Sequence, residues 1–368
     1  MKKLYPLFYL LILSNITFGQ LTSESINVNG VTRSYYQYLP TGYDPGTEQV
    51  PIVFLLHGIG DQASNCATYG LNYIADTARF IAIYPQGESN GSQTSWNNGT
   101  LLASSAEDVL FISRLIDTIN TNYNINLARV YVSGISMGSI MTYTLCNQLS
   151  DRIAAAACHI GTMSTSDYNS FSPTYPVPTL HSHGTADGTV PYEGTALPSL
   201  TLVPHTISKL KTTNGYQGDS TIYPVPDNVN DGITIDRIVY NCTTPLEHWK
   251  WYNGGHTLMY QPVNDTTTLM YTWIFFSQFT HPNPSTVSIH EEKNIQANFY
   301  PNPSKGVINL VNHEEFESIE IYSLDGRLLM SKIQSTPVLD ITELATGTYI
   351  FQFIQHSGAR TTRRLVIE

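Results

Sequence analysis

The sequence is poor in charged residues, and above all in basic ones. Charged residues make up only 13% of its 368 positions, and 18 Lys and Arg stand against 29 Asp and Glu, for a formal net charge of −11. Proteins that bind nucleic acid or an anionic membrane surface need a basic patch, which this composition does not supply. Hydrophobic residues nevertheless make up 41% of the chain, enough to build a folded core. We therefore predict a folded protein with no nucleic-acid partner.

Cysteine is also scarce, with four in the whole chain. No Cys-x-x-Cys pair occurs and the spacing matches no zinc motif, which argues against a zinc site or a dithiol redox centre. In an oxidising compartment the four could form two disulfides, with three possible connectivities, or they could remain free. The sequence leaves both alternatives open for Cys66, Cys146, Cys158 and Cys242.

Long apolar runs are absent except near the start of the chain. Lys2 and Lys3 precede an apolar run from Leu4 to about Leu13, which small and polar residues then follow. That run is too short to span a bilayer, and the pattern is typical of a secretory signal peptide. We predict a signal peptide over residues 1–19, and no integral membrane segment in the mature protein.

Strand-like and helix-like runs alternate between about residue 30 and residue 280. The helical spacing of apolar residues predicts helices over 105–120 and 266–279, and Ser105 with Asp108 resembles a capping box. Such alternation predicts an α/β fold with a mostly parallel sheet, whose ligands bind at the carboxyl ends of the strands. The predicted strands are 51–58, 80–87, 128–134, 153–161, 177–184 and 248–255.

The Gly-x-Ser-x-Gly motif around Ser136 lies where one of these strands gives way to a helical run. A sharp strand-to-helix turn needs small residues on both sides, which Gly134 and Gly138 provide. Such a turn would expose the Ser136 hydroxyl above the sheet, beside the start of a helix. This placement favours a nucleophilic serine over one that only begins a helix.

A nucleophilic serine needs a base and an acid that orients the base. Asp187 and His256 each follow a predicted strand in a loop that contains glycine, in the chain order Ser, Asp, His that α/β-hydrolases use. We predict Ser136 as nucleophile, Asp187 as acid and His256 as base. The alternatives are Glu193 or Asp236 as acid and His248 as base.

An ester or amide reaction at Ser136 would also need donors for an oxyanion. The amide of Met137, at the start of the helix, is one candidate. Ile59, in the loop after the strand that ends near His57, is the other, with Gly60 as its alternative. Trp96, in the stretch Ser-Trp-Asn-Asn-Gly, is a candidate for lining the substrate pocket, and a buried structural role is its alternative.

Several motifs occur together in a consistent order: "LLHGIGDQASN" (55–65), "RVYVSGISMGS" (129–139), "HGTADGTVPY" (183–192) and "GGHT" (254–257). In this the chain resembles the polyhydroxybutyrate depolymerase and feruloyl esterase branch of the α/β-hydrolases. The resemblance implies an α/β-hydrolase fold and a serine esterase that works without a metal or cofactor. It implies an ester substrate, polymeric or small, and favours a polyester such as a polyhydroxyalkanoate. A feruloyl or acetylxylan esterase is the alternative, ahead of a peptidase or a non-catalytic binding protein.

The last part of the chain has a different character. Residues 281–296 are rich in Pro, Ser and charge, and predict a linker between a catalytic domain over 20–280 and a small β-sandwich over 297–368. This last segment resembles the C-terminal sorting domain of type IX secretion cargo. The resemblance implies the type IX machinery as partner and a secreted or cell-surface location. A carbohydrate-binding sandwich is the alternative, but Tyr300, Tyr322 and Tyr349 fit core positions better than a sugar platform.

Overall fold

The structure is a computed structural model that describes residues 19–260, 265–284, 298–311, 313–323, 327–333, 337–355 and 360–368. The predicted signal peptide, apart from Gly19, and most of the predicted linker lie outside these residues. The chain divides into two compact units, Met1–Ser288 and Ile289–Glu368, and the division falls within the linker predicted over 281–296.

The first unit is built on a ten-stranded sheet with the order β1-β2-β4-β3-β7-β8-β9-β12-β11-β10. The central strands, from β4 to β12, run parallel to one another, and an antiparallel pair closes each edge. A separate hairpin is formed by β5 and β6. The strands are β1 (Gln20–Val28), β2 (Val31–Leu39), β3 (Val50–Leu56), β4 (Ile81–Pro85), β5 (Glu88–Ser89), β6 (Thr94–Ser95), β7 (Ile125–Ile135), β8 (Ala155–His159), β9 (Thr179–Gly184), β10 (Tyr216–Pro224), β11 (Thr234–Cys242) and β12 (Leu246–Tyr252).

Helices cover both faces of this sheet. The central strand β3 is buried along its whole length, and its alternate residues face opposite sides because side chains in a strand alternate. Ile52 and Phe54 belong to one hydrophobic cluster with residues of α3, α4 and α6, while Val53 and Leu55 belong to another with residues of α1, α2 and α7. The helices are α1 (Ala63–Cys66), α2 (Leu71–Ala78), α3 (Asp108–Asn122), α4 (Met137–Gln148), α5 (Thr165–Ser170), α6 (Val203–Thr213) and α7 (Thr268–Phe276).

The α/β fold with a mostly parallel sheet is confirmed, and the capping box predicted at the start of α3 is wrong. The N-cap residue of α3 is Glu107, without a side-chain cap, and Asp108 is buried. Asp108 lies 2.5 Å from the Arg33 guanidinium of β2, which is equally buried. Its carboxylate therefore balances a buried cation, a task that outweighs capping because an unpaired buried charge is strongly destabilising.

The second unit contains two antiparallel sheets, with strand orders β13-β14-β17 and β16-β15-β18-β19. Side chains from both sheets share one hydrophobic cluster, so the small β-sandwich predicted from the sequence is confirmed. Tyr300, however, is exposed, and Tyr322 and Tyr349 are half-buried. The core is filled by Ile, Leu and Phe side chains instead. The strands are β13 (Asn298–Tyr300), β14 (Val307–Val311), β15 (Phe316–Tyr322), β16 (Leu328–Ile333), β17 (Val338–Asp340), β18 (Gly347–Gln355) and β19 (Arg360–Ile367), and a 3₁₀ turn spans His313–Glu315.

All four cysteines are free thiols, so neither disulfide is formed. Cys66, Cys146 and Cys158 are buried and Cys242 is half-buried. Burial raises the pKa of the Cys66 and Cys146 thiols well above the ordinary value, which keeps them protonated and unreactive. Within the described ranges, no helix combines the length and the apolar character needed to cross a membrane.

Candidate active site

Ser136 lies on a sharp turn between β7, which ends at Ile135, and α4, which begins at Met137. Its backbone adopts φ 55° and ψ −116°, a conformation that L-residues other than glycine rarely hold. Two hydrogen bonds fix it: the Ser136 amide donates to the His159 carbonyl at 2.8 Å, and the Ser136 carbonyl accepts from the Ile140 amide at 3.1 Å. A strained residue held this firmly is typical of a nucleophile elbow.

The glycines of the motif are required by close backbone contacts. A Cβ atom added to Gly134 would lie 2.0 Å from the Gly138 carbonyl oxygen, and one added to Gly138 would lie 2.3 Å from that of Leu56. On the other side of the turn, a Cβ at Gly161 would lie 2.4 Å from the Ser136 carbonyl oxygen. The packing of α4 against β3 and β7 at this point therefore requires glycine.

The structure brings Ser136, Asp187 and His256 together. His256 Nε2 lies 2.9 Å from Ser136 Oγ, and His256 Nδ1 lies 2.7 Å from Asp187 Oδ2. Both distances are short enough for a hydroxyl to pass its proton to the imidazole while the carboxylate holds the opposite ring nitrogen.

Adjacent parallel strands explain how distant residues meet here. Asp187 follows β9 and His256 follows β12, and these strands pair directly in parallel. Their loops also touch, since the Ala186 amide donates to the Gly254 carbonyl at 2.9 Å and a Cβ on Gly184 would lie 2.1 Å from the same oxygen. The acid and the base are thus held by one pair of interlocked loops.

Four donors surround the Asp187 carboxylate. Its Oδ1 accepts from the amides of Thr189 and Val190, each at 2.8 Å, and its Oδ2 accepts from His256 and from His183 Nε2, which lies 3.2 Å away. Burial alone would raise the pKa of Asp187, but the hydrogen bonds from His183, His256 and the Val190 amide bring it well below the ordinary value. Asp187 is therefore ionised and able to stabilise an imidazolium at His256.

His183 is a part of this site whose role the sequence does not reveal, and it is fully buried. Its Nε2–H is shared between the Asp187 carboxylate and the Val190 carbonyl, 2.8 Å away. The signal in the sequence is the spacing His183-x-x-x-Asp187, which places a ring at the strand end beneath the loop that carries the acid. The sequence alone leaves open whether it only packs or supports a catalytic residue.

The loop after β3 runs beside Ser136. A Cβ on Gly58 would lie 3.5 Å from the Ser136 Cβ, which is ordinary contact distance. His57 fixes the loop: its Nδ1–H donates to the Gly58 carbonyl at 2.7 Å, and its Nε2 accepts from the Gly87 amide at 2.9 Å. The amide of Gly60 donates to the Thr94 carbonyl and is already engaged. Ile59 and Met137 remain the candidates for the oxyanion donors.

Trp96 does not line an accessible pocket, so that prediction is wrong. The side chain is fully buried, and its Nε1–H donates to the His57 carbonyl at 2.9 Å. Its ring also packs on the His57 ring, with centroids 4.8 Å apart. Trp96 therefore supports the loop after β3 from beneath. Burial removes its large apolar surface from water, and the His57 carbonyl accepts from its one N–H donor.

The reserve candidates have other surroundings. Glu193 is exposed, and Asp236, on β11 between β12 and the edge strand β10, accepts from the Tyr252 hydroxyl at 3.0 Å. His248 is buried within β12 beside Tyr192. Within the part of the chain that the structure describes, no three His, Cys, Asp or Glu side chains come together as metal ligands.

Comparison with known proteins finds two domains. Residues 33–175 match the family described as esterase PHB depolymerase, and residues 298–368 match the secretion system C-terminal sorting domain. The chain contains both of these domains. Its sorting domain makes it a secreted or cell-surface protein.

Two curated relatives extend the match along the first unit. The bifunctional acetylxylan esterase/xylanase XynS20E of Neocallimastix patriciarum is 28% identical over 270 residues, which cover 70% of this chain but only 35% of that longer protein. Feruloyl esterase C of Emericella nidulans is 26% identical over 265 residues, covering 70% of this chain and 87% of that protein.

A solved structure, acetyl xylan esterase from Aspergillus awamori, superimposes with a TM-score of 0.50 at 16% identity. The match covers 70% of this chain and 99% of that one. At this identity the likeness concerns the fold alone, and it shows that the first unit has the α/β-hydrolase fold.

Proposed function

We propose that this protein is a secreted serine esterase in which Ser136 is the nucleophile, His256 the base and Asp187 the acid. The proposal is carried by the continuous hydrogen-bonded path from Ser136 Oγ through His256 to Asp187, with distances of 2.9 and 2.7 Å. A binding protein on this fold has no need for a strained serine joined to a base and a buried carboxylate.

The reaction follows from these positions in two acyl-transfer steps. His256 Nε2 takes the Ser136 proton as Oγ attacks an ester carbonyl, and the ionised Asp187 stabilises the imidazolium. The amides of Ile59 and Met137 donate to the oxyanion, Met137 with the advantage of the positive end of α4. The imidazolium then protonates the leaving alcohol. Water, activated by the same imidazole, finally releases the acid from Ser136. No metal or cofactor takes part in these steps.

We propose a polymeric ester as the substrate, with a polyhydroxyalkanoate or other polyester as the first candidate. The support is the depolymerase family matched by residues 33–175, together with the sorting domain, since an insoluble polymer must be degraded outside the cell. The partner in export is the type IX secretion machinery. A feruloyl or acetylxylan esterase is the second candidate, supported by relatives with those names that match along most of the first unit.

The experiment is a side-by-side assay of polyhydroxybutyrate, an aromatic polyester, methyl ferulate and acetylated xylan, with p-nitrophenyl butyrate as a general ester and a peptide anilide as the peptidase control. We expect release of soluble acid from polyhydroxybutyrate and no hydrolysis of the peptide anilide. Ser136→Ala should lower every ester rate, by roughly a millionfold if it behaves as in other serine hydrolases. Ester hydrolysis by Ser136→Ala at near-normal rates would contradict the site. Activity confined to short soluble esters would contradict a polymer substrate.

A further inference from the structure

A cavity of about 730 Å³ opens where α6 packs near the antiparallel strands β10, β11 and β12. Its volume falls in the range of small-molecule sites, and Ser136, Asp187 and His256 are not among its lining residues. The side chains that decide its chemistry are Tyr192, Ile207, Lys211, Tyr216, Tyr240 and His248.

The cavity is cationic in an otherwise acidic protein. Lys211 lines it, whereas no Asp or Glu does, although the chain as a whole has a formal net charge of −11. Within the described residues no carboxylate forms an ion pair with Lys211; its ammonium contacts aromatic rings instead. An ammonium without an acidic partner at the wall of a cavity can attract an anion.

The two tyrosines of the β10–β11 pair hold this ammonium in place. Lys211 Nζ lies 3.7 Å from the ring centroid of Tyr216 and 4.7 Å from that of Tyr240. Such cation–π contacts restrict a side chain that would otherwise be mobile, so less conformational entropy is lost when an anion binds. They also cover the ring faces on which a neutral sugar would stack, which disfavours a saccharide as the occupant.

The rest of the wall is uncharged. Burial, with smaller contributions from His183 and Lys250, lowers the pKa of His248 to about 3, so its ring is neutral. Tyr192 is buried beside it, with the hydroxyl 3.4 Å from His248 Nε2. Ile207 adds an apolar side chain from α6. A single cation is thus surrounded by apolar and neutral hydrogen-bonding surface.

We propose that this cavity is a binding site for a small organic carboxylate, whose anionic group pairs with Lys211 and whose apolar or aromatic body lies against Ile207 and Tyr192. Acids of this class are what an esterase releases, so an acid product is the natural occupant. The identification of the occupant as an acid product rests on the proposed function, whereas the binding site itself does not.

The test uses the full-length protein and benzoate as the probe, with neutral benzamide and xylobiose as comparisons, in a calorimetric or NMR titration. We expect saturable benzoate binding, weakened by about tenfold in Lys211→Met, the loss that follows when one charged hydrogen bond is removed. Benzamide and xylobiose should bind at least that much more weakly than benzoate. The matched control is Lys209→Met, because Lys209 lies on the same helix with its ammonium 4.8 Å from the Tyr168 ring centroid, and neither lines the cavity. It should bind benzoate as the wild type does.

Melting curves of both variants, and of Lys211→Gln as a second variant, separate lost binding from lost folding. The proposal is overturned if benzoate does not bind saturably, if Lys211→Met and Lys209→Met bind it equally well, or if either neutral probe matches it. Benzoate that binds only near Ser136 would bind equally well to Lys211→Met and Lys209→Met. The binding measurement needs no ester turnover, so an inactive protein that still binds benzoate through Lys211 would refute the proposed function and leave this site standing.

Discussion

At the scale of single residues, Asp187 is the most constrained group in the site. Its Oδ2 accepts hydrogen bonds from two imidazoles, His256 on the side of the nucleophile and His183 from beneath. The second bond draws negative charge away from the first. His183 should therefore fix the orientation of Asp187 and, through Asp187, that of His256.

Replacing His183 with Leu removes this donor without adding a charge. The Asp187 carboxylate then loses one of the donors that hold it in position to accept from His256. We expect kcat to fall by roughly tenfold, equivalent to about 1.4 kcal/mol for one lost hydrogen bond. His183→Gln keeps an N–H donor and should restore part of the lost kcat.

The control for that variant is His181→Gln, since His181 is as buried and stacks on His183 but bonds to Tyr143. Its kcat should stay close to the wild-type value. An unchanged kcat in His183→Leu would show that His183 is only a packing residue.

The residues proposed as nucleophile, base and acid could be predicted from the sequence because each occurs in a local pattern, a glycine-flanked serine or a loop that follows a strand. His183 and His57 could not, because their roles depend on contacts across loops. Trp96 was ambiguous for the same reason. An aromatic residue near a site gives the same sequence pattern whether its ring faces the substrate or supports a loop from beneath.

At the scale of elements, the junction of β7 and α4 is where packing and chemistry coincide. The helix approaches so closely that the Gly134 and Gly138 backbones leave no room for a Cβ atom. The position of Ser136 therefore depends on the separation of a strand and a helix, and not only on the residues that contact it.

Gly134→Ala tests this dependence. The new methyl group would lie 2.0 Å from the Gly138 carbonyl oxygen, so α4 must shift. We expect a loss of about 2–3 kcal/mol in the free energy of unfolding, as for an overpacked core, and a large fall in turnover. Urea denaturation measures the first quantity. Gly188→Ala is the comparison, because nothing lies within 4 Å of its added Cβ. Equal stability of the two variants would contradict the packing argument.

Elements at the sheet edges were harder to predict than those at its centre. The buried strand β3 is apolar throughout, whereas the edge strands β1 and β10 are mostly exposed and mix polar with apolar residues. Only pairing with β2 and β11 makes them strands. The Arg33–Asp108 ion pair joins β2 to α3, and this tertiary contact replaced the local capping that the sequence suggested.

At the scale of the whole molecule, the first unit contains an unusual number of buried neutral histidines. Burial lowers the pKa of His159 to about 3, and burial with smaller contributions from neighbouring charges does the same for His248. The pKa of His181 is also well below the ordinary 6.5, through burial first and neighbouring histidines second. In the unfolded chain these rings take up protons near pH 6.5 that the folded protein excludes.

The free energy of unfolding should therefore fall as the pH is lowered from 6.5 towards 3, by up to about 1.4 kcal/mol per pH unit for each such histidine. Asp187, with its lowered pKa, stabilises the fold above its unfolded pKa of about 3.9 and loses that effect only below it. Urea unfolding at pH 7.5, 6.5, 5.5 and 4.5 measures the histidine effect, because all four pH values lie above the range in which the Asp187 effect is lost. His248→Gln should reduce the slope. A free energy that is constant between pH 7 and pH 5 would contradict the prediction.

The central claim is that Ser136 is the nucleophile, and covalent labelling tests it most directly. Diethyl p-nitrophenyl phosphate should transfer one phosphoryl group to the protein, peptide mass mapping should locate it on Ser136, and ester turnover should fall in proportion. The His256→Ala variant should label far more slowly, because its serine lacks a base. A label on another residue, or full turnover after complete modification of Ser136, would contradict the account.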